Sequence, residues 1–235
     1  MLRIAIVTAT FTALLGCASL DSEELLTTGI SAEITVTADG SGSSDVTAVL
    51  RAGGGLSTTF VDLSSGDELT ATLGEETQVL TEVSLAAITS YTTTFDTAPT
   101  GEDYIISLDR IEFDSAPNTV VQLPPPFELE PLAVEDYSRS EDPLTVSWSP
   151  SDTTDDMRVT VDGDCFLVHF QELSGDPGTY TIEAGTLEDT GSEPSNCEAT
   201  VTVQRRRAGQ LDPGYGEGGS AAGLQVREVS IGSAP

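Results

Sequence analysis

Ile30-Ser31-Ala32-Glu33-Ile34-Thr35-Val36-Thr37-Ala38 decides the fold class. Ala32, Ile34, Val36 and Ala38 alternate with Glu33, Thr35 and Thr37, the period-two pattern of a strand with one buried face. The same pattern recurs downstream, with alternate apolar groups at Val46-Ala48-Leu50, Leu69-Ala71-Leu73, Tyr91-Thr93-Phe95 and Tyr104-Ile106-Leu108. Turn chemistry separates these runs: Asp39-Gly40-Ser41-Gly42, Gly53-Gly54-Gly55, Ser65-Gly66-Asp67 and Thr100-Gly101-Glu102. Threonine and valine suit a pleated, half-buried surface and weaken helices, and no long stretch repeats apolar residues at i, i+3, i+4, i+7. Short strands at this spacing predict an all-β chain built of antiparallel β-sandwiches.

Outward from that segment, Pro124-Pro125-Pro126 breaks the alternation. Three residues without a backbone donor favour polyproline II and cannot occupy a central strand. The expected bodies are a β-sandwich over 29–123 and a second over 127–235, joined by a stiff 124–126 junction. In the second, Leu144, Val146 and Trp148 share one face, and Met157, Val159 and Val161 another. Ala199 to Val203 reads as a strand, Gln210 to Gly223 as a flexible Gly-rich loop, and Leu224 to Ile231 as a closing strand. Trp148 on an early strand, followed late by a turn and Tyr180-Thr181-Ile182-Glu183-Ala184, resembles a fibronectin type III or related immunoglobulin-like module. That resemblance implies Trp148 as a core anchor and Tyr180 as a corner whose hydroxyl bonds upstream backbone. The compressed Val161–Tyr180 interval departs from the family.

Before the first strand, Arg3 precedes an uncharged, apolar run from Ile4 to Leu15, of signal-peptide length and short for a membrane span. It ends in Leu14-Leu15-Gly16-Cys17, which resembles the lipobox of bacterial lipoproteins, although leucine at the middle position is less usual than a smaller residue. The resemblance implies removal of residues 1–16 as signal peptide, lipidation of Cys17, and a membrane anchored by several acyl chains. With Ala18 following, it favours the outer over the inner membrane. An ordinary secretory signal or a membrane helix is the alternative. Residues 17–28 then read as a lipidated cysteine and polar tether.

Composition bounds the partners. The 235 residues carry 39 acidic and 9 basic side chains, with a net charge of −30 and no lysine. Nucleic-acid binding, which needs cations to displace phosphate counterions, is excluded. Loss of residues 1–16 removes Arg3 alone and leaves 8 basic against 39 acidic residues, a charge of −31. Such a body is repelled by anionic lipid, so a lipid anchor holds it better than adsorption would. A solvated acidic surface explains the charge, as does a saline exterior that screens self-repulsion.

Candidate sites are few. With Cys17 lipidated, Cys165 and Cys197 are the remaining thiols of an exported chain, and a disulfide between them is the natural pairing; C-x-x-C redox spacing is missing. Asp39 to Asp45 and the group Asp152, Asp155 and Asp156, with Asp162 and Asp164 downstream, collect the hard oxygens that Ca²⁺ prefers. Neither run has the spacing of a calcium loop, and solvated turns account for both. Arg205-Arg206-Arg207, on a strand, sends its outer two arginines one way and Arg206 the other. These arginines either satisfy nearby carboxylates or guard a sheet edge, or else grip a phosphate or acidic glycan. His169 reads as a strand histidine with a hydrogen-bond partner; no nucleophile or zinc-binding signature accompanies it. The expectation is a non-enzymatic, lipid-anchored envelope protein acting as a structural or interaction module toward an envelope protein or polysaccharide, with no required cofactor. The alternative is a carbohydrate-binding surface module, calcium-assisted, with Tyr137 or Tyr215 stacking on sugar rings. A hydrolase using paired carboxylates is a third class that 39 acids cannot resolve into any one pair.

Overall fold

The computed structural model describes residues 19–235 except 65, 86–87, 134–135 and 192–194. β1 (Ser19–Asp21) and two 3-10 turns (Ser22–Glu24 and Thr27–Gly29) lead into β2 (Ile30–Ala38) and β3 (Ser44–Ala52). β4 (Phe60–Asp62), β5 (Glu68–Leu73), β6 (Glu76–Val79), β7 (Thr81–Leu85) and β8 (Ile88–Phe95) follow, then β9 (Asp103–Asp109) and β10 (Ala116–Gln122). Beyond the prolines come β11 (Glu128–Leu129), β12 (Asp136–Ser138), β13 (Leu144–Ser149), β14 (Asp156–Gly163) and β15 (His169–Leu173). The chain closes with β16 (Thr179–Ile182), β17 (Cys197–Ala208) and β18 (Ser220–Ala234). The fold is all-β, as the alternation predicts, and each run named from sequence places its apolar row inside. Ile34, Val36, Val46, Ala48, Ile106, Leu108, Val146 and Val159, for example, are all fully buried. Each such aliphatic side chain contributes roughly 1.5–3 kcal/mol on leaving water.

One sheet of eleven strands runs through the molecule in the order β1-β4-β3-β2-β18-β17-β14-β15, with β7, β8 and β12 branching from it. A four-stranded sheet, β10-β9-β5-β6, and a three-stranded sheet, β11-β13-β16, complete the architecture. Two cores result. The first joins β2, β3 and β8 to β5, β9 and β10, around Ile34, Leu50, Phe95, Tyr104 and Leu123. The second joins β14, β17 and the far half of β18 to β13 and β16, around Trp148, Val161, Val201 and Ile231.

The main sheet differs from the expected antiparallel sandwiches in being mixed and continuous. β1 pairs β4, β12 pairs β18, and β18 pairs β2, all parallel. Ser220–Gln225 lies beside Glu33–Ala38, so the last strand of the chain completes the sheet of the first core before entering the second. Backbones close tightly there: a Cβ on Gly223 would sit 2.1 Å from the Gln122 carbonyl oxygen. Only glycine permits that approach of β18 to β10.

Two segments predicted to be loose are folded. Residues 17–28 read as a tether, yet from Ser19 onward the chain is bound to the first core. Leu20 and Leu25 pack on it, and Ser22 and Thr27 are buried. The cause lies far along the chain: Arg110 donates to the carbonyls of Ser22 (2.6 Å) and Leu25 (3.1 Å) and to Thr27 Oγ1 (3.1 Å). Likewise the Gly-rich 210–219 stretch is pinned rather than flexible. Gln210 exchanges backbone hydrogen bonds with Val120, Gly216 donates to the Ile30 carbonyl, and Asp212 accepts from the Asn118 and Gly214 amides.

Candidate functional site

β17 and β13 bring the expected arginine and tryptophan together. Alternation along β17 buries Arg205, exposes Arg206 and half-buries Arg207. Arg205 donates to Asp176 Oδ2 (2.7 Å), to the Pro150 carbonyl (2.6 Å) and to the Pro125 carbonyl (2.7 Å), with its guanidinium 4.9 Å from the Phe127 ring centre. Asp176 also accepts from the Trp148 indole N–H (2.6 Å) and the Thr153 hydroxyl (3.0 Å). Burial of Asp176 disfavours its charge, but the bonds from Trp148 and Thr153 and the Arg205 charge outweigh it and hold the carboxyl below its ordinary range. The pair has no exposed side-chain surface on either partner.

Two further arginines do equivalent work. Arg110 pairs with Asp67 at 2.8 Å beneath the N-terminal segment, where Asp67 also accepts from Ser22 Oγ and the Ile111 amide. Burial opposes the Asp67 charge, and those bonds together with Arg110 depress its pKa nonetheless. Arg139 donates to Asp189 (3.0 Å), Ser233 Oγ (3.0 Å) and the Cys165 sulfur (3.2 Å). Cys165 and Cys197 form the disulfide, with Cα atoms 5.6 Å apart, tying the end of β14 to the start of β17.

The remaining candidates disperse. Asp155 grips Arg207 through both oxygens (2.8 and 2.9 Å), and Asp156 Oδ1 accepts from the Gly175 amide (3.1 Å). Asp152 stands at a left-handed backbone position, φ 64°. Among the described residues no group of three or more metal-binding side chains converges; Asp155 is engaged by Arg207 and Asp156 by a turn amide. Asp39 and Asp45 are similarly used locally, by the Ser41 amide and the Thr94 hydroxyl. His169 departs from its expectation: its Nε2 is buried without a hydrogen-bond partner among the described residues. Tyr180 lies within the β13–β16 ladder opposite Val146, not at a corner. Tyr137 and Tyr215 are buried, with 1% and 6% exposure, and offer no ring to a sugar. Cys17 lies outside the described residues.

What remains open is surface. Seven of the eight arginines among the described residues form ion pairs. The eighth, Arg206, lines a groove of about 250 Å³ on the outer face of the main sheet with Glu33, Arg158, Glu172 and Gln204. A larger cleft, about 670 Å³, lies beside the second-core stretch of β18, lined by Pro131, Leu132, Glu198, Val229, Ser230 and Ile231. Sequence reasoning missed it, because it arises from strand pairing that no local pattern encodes. β15 ends the main sheet; Phe170 on it and Leu167 and Val168 just before it are exposed. No helix among the described residues is long and apolar enough to cross a membrane.

No family model matches the chain, and no curated protein does. Among solved structures, the Yersinia pseudotuberculosis adhesin InvE is similar over 87% of this chain and 60% of its own, at 13% identity and a TM-score of 0.21. The chain therefore spans less than two thirds of that structure. A likeness this loose carries no inference about function.

Proposed function

We propose that this chain is a lipid-anchored envelope protein acting as a non-enzymatic structural or interaction module, held to the outer membrane through Cys17. The observation that carries this reading is the Cys165–Cys197 disulfide, a bond that persists in exported proteins and is rare in a reducing cytosol. It accords with the apolar Ile4–Leu15 run and the Leu14-Leu15-Gly16-Cys17 ending. The folded body supports anchoring in another way. A single residue, Ala18, separates Cys17 from β1, so an acylated Cys17 would hold the acidic body close to the bilayer instead of on a stalk.

The second core is read as a fibronectin-III-like module on the support of Trp148 in β13 facing the β14–β17 layer. A polysaccharide-stacking surface built on Tyr137 and Tyr215 finds no support, since both rings are internal. The test is metabolic labelling with a fatty-acid probe together with globomycin treatment. Label on the natural chain, its loss in Cys17→Ser, and a precursor that accumulates with globomycin are expected. An unlabelled chain cleaved downstream of Cys17 would refute the anchor.

A further inference from the structure

We infer that the outer face of the main sheet, around Arg206, binds an acidic polysaccharide whose carboxylates are spaced by neutral sugars. Five strands pair side by side across this face. In register, Glu172 on β15 lies beside Arg158 on β14, and Arg158 beside Gln204 on β17. Arg206 on β17 lies beside Leu224 on β18, and Ala222 on β18 beside Thr35 on β2. Alternation puts these side chains on the face opposite the core residues Met157, Val159 and Val203. Ser220 and Ala222 are small, and between Arg206 and Glu33 they leave the groove of about 250 Å³. That is less than the ~300–1,000 Å³ usual for a whole ligand, so the groove takes one unit of a longer molecule.

The charges on this face select what that unit carries. Arg206 is exposed and forms no ion pair among the described residues. Asp156 lies opposite it in register, but Asp156 Oδ1 accepts from the Gly175 amide. A lone guanidinium offers a planar fork to one carboxylate. The neighbouring charges are already matched: Arg51 donates to Glu33 Oε2 (3.0 Å) and Arg158 to Glu172 Oε1 (2.6 Å). Each glutamate keeps its other oxygen for a donor, and Thr35, Gln204 and Ser220 add hydroxyl and amide groups. A unit with one carboxylate and several hydroxyls satisfies them all, which is the chemistry of a uronic acid. A dense phosphate or sulfate polymer would instead set negative charge against Glu33, Glu172 and Asp156 on a body of −30.

Phe170 supplies the adjoining subsite. It shares the outer row of β15 with Glu172, its side chain is 62% exposed, and the Arg158 guanidinium lies 5.7 Å from its ring centre. An exposed aromatic face beside hydrogen-bonding groups suits the apolar face of a neutral sugar ring. From β15 to β2 the face spans four strand spacings, about 19 Å, which is room for more than one sugar. An acidic protein segment is the poorer occupant. Apart from Ala222 and Leu224 the groove is lined by polar side chains, without the apolar centre that protein interfaces bury. A polysaccharide of this kind gives the interaction module proposed above its target, and the groove rests on that reading only for its setting.

The probe is a hyaluronan octasaccharide, in which uronate and neutral sugars alternate, labelled at its reducing end. It is titrated by fluorescence anisotropy into the detergent-solubilised full chain at about 150 mM salt, where charges beyond ~8 Å are screened. A chelator prevents divalent cations from bridging the two anions. The same octasaccharide with its carboxyl groups reduced to alcohols should bind at least fivefold more weakly. Arg206→Gln, at an exposed position without an ion pair, should keep its Tm and weaken the parent probe at least fivefold. It should bind the reduced probe as the natural chain does, because substitution and reduction remove the same contact. Phe170→Ala should weaken both probes at least fivefold. Should either variant fail to fold, the two probes on the natural chain decide. No binding of the parent octasaccharide, or a loss below fivefold on carboxyl reduction or in either folded variant, would overturn the site. So would equal binding of the acidic peptide acetyl-Gly-Glu-Gly-Glu-Gly-Glu-amide, which would make the face a protein-binding one. None of these outcomes bears on labelling of Cys17, so the two proposals fail separately.

Discussion

Replacing Arg205 by methionine removes the cation from the most enclosed ion pair of the molecule. Asp176 then stays buried with Trp148 and Thr153 as donors but no counter-charge, and the Pro125 and Pro150 carbonyls lose their guanidinium donor. Breaking one side of a buried pair costs about 3–5 kcal/mol, a large part of a total stability of about 5–15 kcal/mol. For a body of this size that lowers Tm by about 6–20 °C. Trp148 is the lone tryptophan, and its indole N–H bonds the affected carboxylate, so urea unfolding followed by tryptophan fluorescence reads the second core directly. The double variant Arg205→Met with Asp176→Asn removes both charges and keeps a carbonyl acceptor for Trp148, and should recover at least half of the loss. Acid titration supplies a second readout. Because the Asp176 pKa is depressed in the folded state, its contribution is fully present above the unfolded value of about 3.9 and fades as pH falls through the folded value. Arg205→Met raises that folded value, so the variant should begin to lose stability at higher pH than the natural protein. A loss under 1 kcal/mol, or unchanged acid unfolding, would show that the pair does not hold the second core.

Reduction of Cys165–Cys197, which closes a loop of about 33 residues, should lower stability by about 3–4 kcal/mol, measured by urea unfolding with and without a phosphine reductant. Gly223→Ala should destabilise by at least about 1–3 kcal/mol through overpacking against the Gln122 carbonyl, detected as a lower calorimetric Tm. Alkaline titration at 295 nm should show delayed phenolate formation. Burial pushes Tyr91 up to about 12 and raises Tyr104, Tyr137 and Tyr215 as well, so a full five-tyrosine signal near pH 10 would contradict the packing.

Strand identity was legible wherever alternation met a turn: Ile30–Ala38, Glu68–Leu73 and Leu144–Ser149 all emerge with their apolar rows inside. Disulfide pairing followed from the count of thiols. Sheet order did not follow, because β2 meets β18 through residues far apart in sequence and period two says nothing about which strand is the neighbour. The polar Ser22–Thr27 stretch and the glycines after Gln210 looked loose for a related reason. Their partners are Arg110, Val120 and Ile30, contributed by elements that local composition does not reveal. For the arginine run, alternation gave the facing of Arg205 and Arg207, while the burial of Asp176 as counter-ion was invisible in a chain with so many carboxylates. The cleft beside β18 had no sequence signal at all, since its walls come from β17, β18 and Pro131-Leu132, segments far apart in the chain.

Because β18 joins both cores, the N-terminal body cannot close its sheet until Ser220–Gln225 arrive. Arg227 and Ala38, 189 residues apart, meet only then, and such distant closures are slow. Because the chain is made amino end first, β2 must wait with a bare flank until Ser220–Gln225 have emerged. Protection of that bare flank should therefore matter most for that interval, and a chain truncated before Ser220 would leave both halves unfinished together.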